Sequence, residues 1–246
     1  MRQRNIKNKQ EIIDRCRRFI VEDPTGQKGR WSQRFLKPGD VYVEIGSGKG
    51  RFITQMAQRY PQHNFIAVER GPNVAIRTLE KAEATDASNL LVVAAHIDSV
   101  RDWFAEGEIA GLYLNFSDPW PKARHAKRRL THRARLLQYR CIAAPGALLY
   151  FQTDDASFFA FSMEEFAAAG LTDVIASGRK EDILRQADDI FLLPETEYEG
   201  KARRLCRSVY AACVRLRPSD AGASCVTGRA EFRRTVRVVE KQEERV

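Results

Sequence analysis

The sequence predicts an α/β domain built on a doubly wound, mostly parallel sheet with a final antiparallel strand. Two observations carry this. Short apolar runs alternate with helically spaced segments from Val41 to Ala169, the pattern of repeated βαβ units. A glycine-rich turn directly follows the first run, where a strand must hand over to a helix.

In order, Val41–Ile45 reads as a strand that stops at Gly46, and Phe52–Tyr60 as a helix that stops before Pro61. Asn64–Val68 is strand-like, Asn73–Ala84 helix-like and Leu90–Ala94 strand-like again. Val100–Phe104 predicts a short helix, Gly111–Phe116 a buried strand and Thr131–Cys141 a helix. Ala147–Phe151 predicts a strand, Ala156–Ala169 a helix closed by Gly170, and Val209–Val214 the last strand. The expected division is a basic N-terminal arm over 1–27, one domain over 28–216 and a flexible tail over 217–246. The arm carries seven basic side chains within residues 1–20 and is expected to be helical near its end.

A formal charge of +9 suits a polyanionic partner, because lysine and arginine displace counterions from phosphates. A merely solubilising basic surface accounts for the charge equally well. The five cysteines, Cys16, Cys141, Cys206, Cys213 and Cys225, are odd in number and form no C-x-x-C pair. That argues against a zinc site or a disulfide framework and for a reducing cytosol. The most apolar run, Cys141–Phe151, is short and broken by Pro145 and Gly146, so no membrane span is expected.

The sharpest local feature is Glu44-Ile45-Gly46-Ser47-Gly48-Lys49-Gly50. Alternate glycines let the backbone bend tightly and approach a ligand closely. A dinucleotide fingerprint fails because Arg51 takes its last glycine position. A phosphate-binding loop fails at Val43 and Gly50. An acid before G-x-G-x-G remains, which suits S-adenosylmethionine, since a carboxylate can face its cationic end. The competing interpretation is a tight turn without a ligand. Glu69 ends the second strand about twenty residues on, where acids commonly take ribose hydroxyls. His96 and Asp98 follow the third strand, where an adenine contact is expected; either could equally be a solvated loop residue.

After the fourth strand comes Asn115-Phe116-Ser117-Asp118-Pro119-Trp120-Pro121-Lys122, then a basic run with Arg124, His125, Lys127, Arg128, Arg129, Arg133 and Arg135. Ligands in open α/β sheets sit beyond the carboxyl ends of strands. The loop is thus a candidate reaction site, and Arg124, Lys127, Arg128 and Arg129 are candidate phosphate anchors.

At these residues the chain resembles the bacterial tRNA (guanine-N7-)-methyltransferases. The resemblance rests on Val43–Gly50, Ile66–Glu69, Leu114–Lys122, His125, Lys127–Thr131, Gln152–Asp155 and Thr196–Glu199, in order between about Lys28 and Tyr210. The glycine turn marks only the methyltransferase superfamily, whereas the Asp-Pro-Trp-Pro-Lys and Thr-Glu-Tyr-Glu blocks are specific. The resemblance implies a Rossmann-like class I methyltransferase fold, S-adenosylmethionine as cofactor and tRNA as partner. It implies cofactor contacts at Glu44, Gly46, Gly48, Gly50, Glu69, His96 (or Asp98) and Asp118. It further implies catalysis at Asp118 and substrate contacts at Lys122, Asp154, Thr196, Glu197, Tyr198 and Glu199. Position 96 and the stretch Ser177–Glu195 depart from the family pattern, and Arg203, Arg204 and Arg207 replace an expected glycine region. The alternatives are a methyltransferase of another RNA or of a protein, or an inactive RNA-binding protein of the same fold.

Overall fold

Thirteen residues, with a 3-10 turn at Trp31–Arg34, separate the basic arm from the first strand. The computed structural model describes residue 6 and residues 8–171, 173–185 and 193–216. The tail from 217 onward, with Cys225, lies outside the described residues. The elements are α1 (Lys9–Arg15), β1 (Val41–Ile45), α2 (Arg51–Arg59), β2 (Asn64–Val68), α3 (Pro72–Ala84), β3 (Leu90–Val93) and α4 (Val100–Trp103). There follow β4 (Ile109–Asn115), α5 (Arg133–Ile142), β5 (Ala143–Thr153), α6 (Ala156–Ala168), β6 (Val174–Arg179), α7 (Lys180–Arg185), α8 (Glu197–Arg204) and β7 (Tyr210–Arg215).

The seven strands form one sheet in the order β3-β2-β1-β4-β5-β7-β6. β1 runs parallel to β2 and β4, β2 to β3, and β4 to β5. β7 is antiparallel to both β5 and β6. The predicted sheet and its antiparallel strand are therefore present. Strand order reverses between β1 and β4, so the crevice of a doubly wound sheet opens beyond their carboxyl ends.

Alternation along the strands feeds two cores. Val43, Ile45, Leu112, Leu114, Leu149 and Phe151 enter one; Tyr42, Tyr113 and Tyr150 enter the other with Phe52, Ile53 and Met56 of α2. The three tyrosines stack across neighbouring strands, with centroids 6.2 Å apart for Tyr42–Tyr113 and 5.1 Å for Tyr113–Tyr150. Gly111 makes room for this stack, because a Cβ there would sit 2.6 Å from Tyr42 Cδ1.

Several elements between Ala143 and Arg204 differ from expectation, α7 among them, since no helix was expected at Lys180–Arg185. β5 begins at Ala143, and Pro145 and Gly146 lie inside it at a register shift, where Ile109 pairs Ala143 but Gly111 pairs Leu148. A bulge spares Pro145 the ladder bond it cannot donate. β6 was not anticipated, since its sequence Val-Ile-Ala-Ser-Gly-Arg does not alternate in the way that signals a half-buried strand. α8 is mostly charged and hid its helical character. In the arm, α1 is followed by short 3-10 turns at Arg17–Phe19 and Thr25–Gln27, so helical structure reaches its end as expected.

The arm is fastened to the domain. Ile12, Cys16 and Phe19 are buried in the second core, and Val21 N donates to Val92 O at 3.0 Å beside a parallel Ile20–Val92 bridge. That covers the outer edge of β3, an edge otherwise open to unwanted pairing. Arg15 and Arg18 pair with Glu83 and Asp86, so part of the arm's positive charge is used internally. Trp31 is fully buried and donates from Nε1 to Trp103 O at 2.7 Å. Among the described residues no helix is long and apolar enough to cross a membrane.

Phe19→Ala should lower stability to urea by about 3–5 kcal/mol, the usual cost of truncating a buried aromatic. An unchanged midpoint would contradict the docking of the arm.

Candidate active site

The glycine turn is built as the sequence requires. Gly46, Gly48 and Gly50 have φ of 82, 59 and 76°, a region that glycine enters without penalty. Gly46 N and Ser47 N donate to Val68 O at 2.8 and 3.1 Å, tying the turn to the end of β2. Added Cβ atoms on Gly46 and Gly48 would meet nothing within 4 Å, whereas one on Gly50 would sit 2.5 Å from Thr78 Cγ2. The first two glycines thus face open space, and Gly50 lets α2 approach α3.

Glu69 braces this turn: Gly48 N donates to its Oε2 at 3.0 Å and Gly71 N to its Oε1 at 2.8 Å. Each oxygen keeps a further lone pair for a hydroxyl. Glu44, at the inner end of β1, is 2% exposed. Its Oε1 accepts from Asn115 Nδ2 at 2.8 Å, and its Oε2 is buried without a hydrogen-bond partner. Burial pushes the Glu44 carboxyl up to about 8, against the Asn115 bond that favours its charged form; Glu197 and Glu69 push it further up.

Glu197 arrives from α8. Its Oε1 accepts from Arg51 N at 3.2 Å, at the first turn of α2, and from Lys81 Nζ at 3.2 Å. A carboxylate there is favoured by the free amides of the helix start. His96 and Asp98 pair with each other, Nε2 to Oδ1 at 3.2 Å, and both are largely exposed beyond β3.

Beyond β4 the loop takes left-handed backbone at Phe116 (φ 49) and Trp120 (φ 42). Such conformations cost non-glycine residues about 1–3 kcal/mol each and persist where surroundings enforce them. At Trp120 the constraint comes from Arg129, which donates from Nε to Pro119 O at 2.9 Å and from Nη2 to Trp120 O at 3.0 Å while lying 4.1 Å over Phe161; Phe116 N donates to Gln152 O at 2.8 Å. Arg129, expected to meet phosphate, is half-buried and uses Nε and Nη2 to hold the loop. Lys122, Arg124, Lys127 and Arg128 are exposed, Arg128 lying 5.0 Å over Trp120. Asp118, also exposed, accepts from Arg70 Nη2 at 3.0 Å across the crevice mouth.

The Thr-Glu-Tyr-Glu block divides its tasks. Thr196 caps α8, its side chain accepting from Glu199 N at 2.9 Å. Tyr198 is exposed and stacks on Phe116 at 6.2 Å between centroids. Glu199 is 1% exposed and paired with Lys180 Nζ at 2.9 Å and Arg203 Nη2 at 2.9 Å. Without a ligand, Thr196 and Glu199 are thus engaged in capping and ion pairing. Asp154 pairs with Arg207 at 3.1 Å. Asn115 and Gln152 stand as polar side chains at the ends of otherwise apolar strands, a signal of buried polar work visible in the sequence; no comparable signal marks Arg70 or Lys180.

The fold and this turn are those of a Rossmann-like methyltransferase, and a family model described as "Putative methyltransferase" matches residues 38–212. The tRNA (guanine-N(7)-)-methyltransferase of Latilactobacillus sakei subsp. sakei is 39% identical over 85% of this chain and 97% of that protein. The enzyme of the same description from Geobacillus thermodenitrificans is 37% identical over 89% of this chain and 98% of that protein. The solved 16S rRNA methyltransferase KamB shares the fold at TM-score 0.50 and 17% identity, covering 73% of this chain and 88% of that one. The chain belongs to the tRNA (guanine-N(7)-)-methyltransferase family.

That family and fold imply S-adenosylmethionine as methyl donor. The residues fit it: open space lies before Gly46 and Gly48, and Glu44 Oε2 is a buried acceptor in want of a cation. Among the described residues no cluster of histidine, cysteine or acids could hold a metal ion.

In the ligand-free protein, native Glu44 keeps its proton up to about pH 8, while the unfolded chain gives it up near the ordinary carboxylate value. Between those values the native state binds more protons, so this group's contribution is complete below the lower value and lost as pH rises through 8. Urea midpoints measured against pH should therefore fall less steeply for Glu44→Gln than for the wild type. Parallel curves would contradict the burial assigned to Glu44.

Proposed function

We propose that the protein methylates N7 of a guanosine in tRNA, acting in the cytoplasm with S-adenosylmethionine. The observation that carries this reading is the meeting of the acid-backed glycine turn with the Asp118 loop at the strand-order switch.

Guanine N7 has a lone pair and no proton, so its attack needs no general base. When bound, the cofactor supplies an electrophilic methyl group on a sulfonium. The protein's task is to hold the purine in line and to compensate the positive charge that develops on it. Glu44 Oε2 and the backbone at Gly46 and Gly48 would hold the donor's cationic end, Glu69 a ribose hydroxyl, and His96 or Asp98 the adenine. Asp118 has acceptor positions beyond the one Arg70 uses, and with Asp154 or Glu197 it would accept from guanine N1–H and N2–H. Adenine offers no such donor pair. Two bonds to one base edge discriminate by about 1–3 kcal/mol. Tyr198 and Phe116 offer an aromatic surface beside that edge, and Lys122, Arg124, Lys127 and Arg128 would meet the phosphates.

Mapping the modified base in tRNA incubated with enzyme and methyl-labelled cofactor tests the reading. Label at guanine N7 is expected; label on another base or on protein would overturn it. Asp118→Ala should cut turnover by roughly 10²–10³-fold, the scale of losing one electrostatic contact at a reacting centre, in a variant that still unfolds cooperatively. Removing Lys122 or Lys127 should flatten the salt dependence of tRNA binding by about 0.7–0.9 in slope per charge. An unchanged slope would reduce the run to a solvated face.

A further inference from the structure

A buried file of polar side chains crosses the carboxyl edge of the sheet. Lys180 Nζ donates to Gln152 Oε1 at 3.1 Å, Gln152 Nε2 to Asn115 Oδ1 at 2.7 Å, and Asn115 Nδ2 to Glu44 Oε1 at 2.8 Å. All four residues are at most 6% exposed. Lys180 stands at the junction of β6 and α7, pinned by its backbone N–H to Val209 O at 2.8 Å. Its ammonium also meets both oxygens of Glu199 at 2.9 Å.

We propose that Lys180 is a positioning residue that fixes, through Gln152 and Asn115, the direction in which hydrogen bonds run into the Glu44 carboxylate. The inference rests on the cofactor-site reading given above.

An amide can turn about its terminal bond and exchange its donor and acceptor ends. An ammonium cannot, for it has three donors and no acceptor. Facing Lys180, Gln152 must present oxygen. Its nitrogen must then point at Asn115, whose oxygen is thereby claimed and whose nitrogen is left to donate to Glu44. Each bond polarises the next in a medium of low dielectric. The file therefore delivers a donor to Oε1 and favours the charged carboxylate that would meet a cation. With the ammonium gone, both amides are free to reverse. Asn115 would then present oxygen to Glu44, a contact that requires a protonated carboxyl. The same ammonium holds Glu199 on α8, the helix whose Glu197 meets the start of α2. One cation thus serves both the donor side and the RNA-side block. The charged groups facing Glu44 itself are Glu69 from the end of β2 and Glu197 from α8, and both oppose its ionisation.

Three variants test this: Lys180→Met, Lys180→Arg, and Lys180→Met with Glu199→Gln, which removes the stranded buried carboxylate. Calorimetric titration with S-adenosylmethionine near pH 8, where wild-type Glu44 is about half protonated, in buffers of differing ionisation enthalpy, reads affinity and protons released together. Lys180→Met is expected to bind at least about tenfold more weakly, equivalent to roughly 1.4 kcal/mol, with more protons released. Lys180→Arg should restore both readings toward the wild type. The double variant should recover stability to urea but neither affinity nor proton count, so it decides the matter even if the single variant fails to fold. A folded double variant with wild-type affinity and proton release would overturn the proposal, leaving Lys180 as a neutraliser of Glu199. In ligand-free protein the double variant should also move the titration of Glu44 to higher pH than in the wild type, and an unmoved titration would count against the file. That reading needs no cofactor. A wild type that gives no heat with S-adenosylmethionine would instead sink the cofactor-site reading, and the two failures are thus separable.

Discussion

A carboxyl group buried at the end of a central strand, with one oxygen bonded and the other unpartnered, is the constraint around which this molecule is arranged. Burying such a group without full compensation is costly, and Glu44 meets that condition with Oε2. A cation lodged against it would offset the cost. The surrounding backbone is shaped to the same end: Gly46 and Gly48 keep space open, while Glu69 ties the bend to the following turn. Charge and space agree on the same spot.

Several of the basic side chains are engaged in contacts within the protein. Arg129 holds the Pro119 and Trp120 carbonyls and so keeps Trp120 in its left-handed conformation. Arg15 and Arg18 fasten the arm to α3 and the chain just beyond it. The basic charge therefore divides into groups that build the protein and groups, such as Lys122, Arg124 and Lys127, that stay exposed along one loop. Asp118 lies at the start of that loop, and Arg70 reaches it from the end of β2.

The parallel half of the sheet was legible because its strands are continuous apolar runs punctuated by glycine, proline and acids. Val41–Ile45 and Asn64–Val68 lie where those runs place them. β6 was not, because an edge strand needs few apolar side chains. Pro145 and Gly146 signal a turn and a bulge alike, so the sequence predicts a break where the strand continues through a register shift. At the site, the glycine turn and the acids could be named from the sequence. Their partners could not: whether Glu199 faces a base or Lys180 depends on contacts between distant segments, and no local pattern encodes them. Asn115 and Gln152 sat inside the recognised blocks, yet their linkage required the register that sets β4 beside β5.

The account stands on the ionisation of Glu44, which carbon-13 labelling of glutamate carboxyls can observe directly. Near pH 7 the Glu44 carboxyl resonance should lie toward the protonated position in the free protein and move to the ionised position when S-adenosylmethionine is added. A resonance that shows no response on saturation would contradict the placing of the methyl donor's cation at this carboxylate, and one already fully ionised in the free protein would contradict the burial that holds its proton.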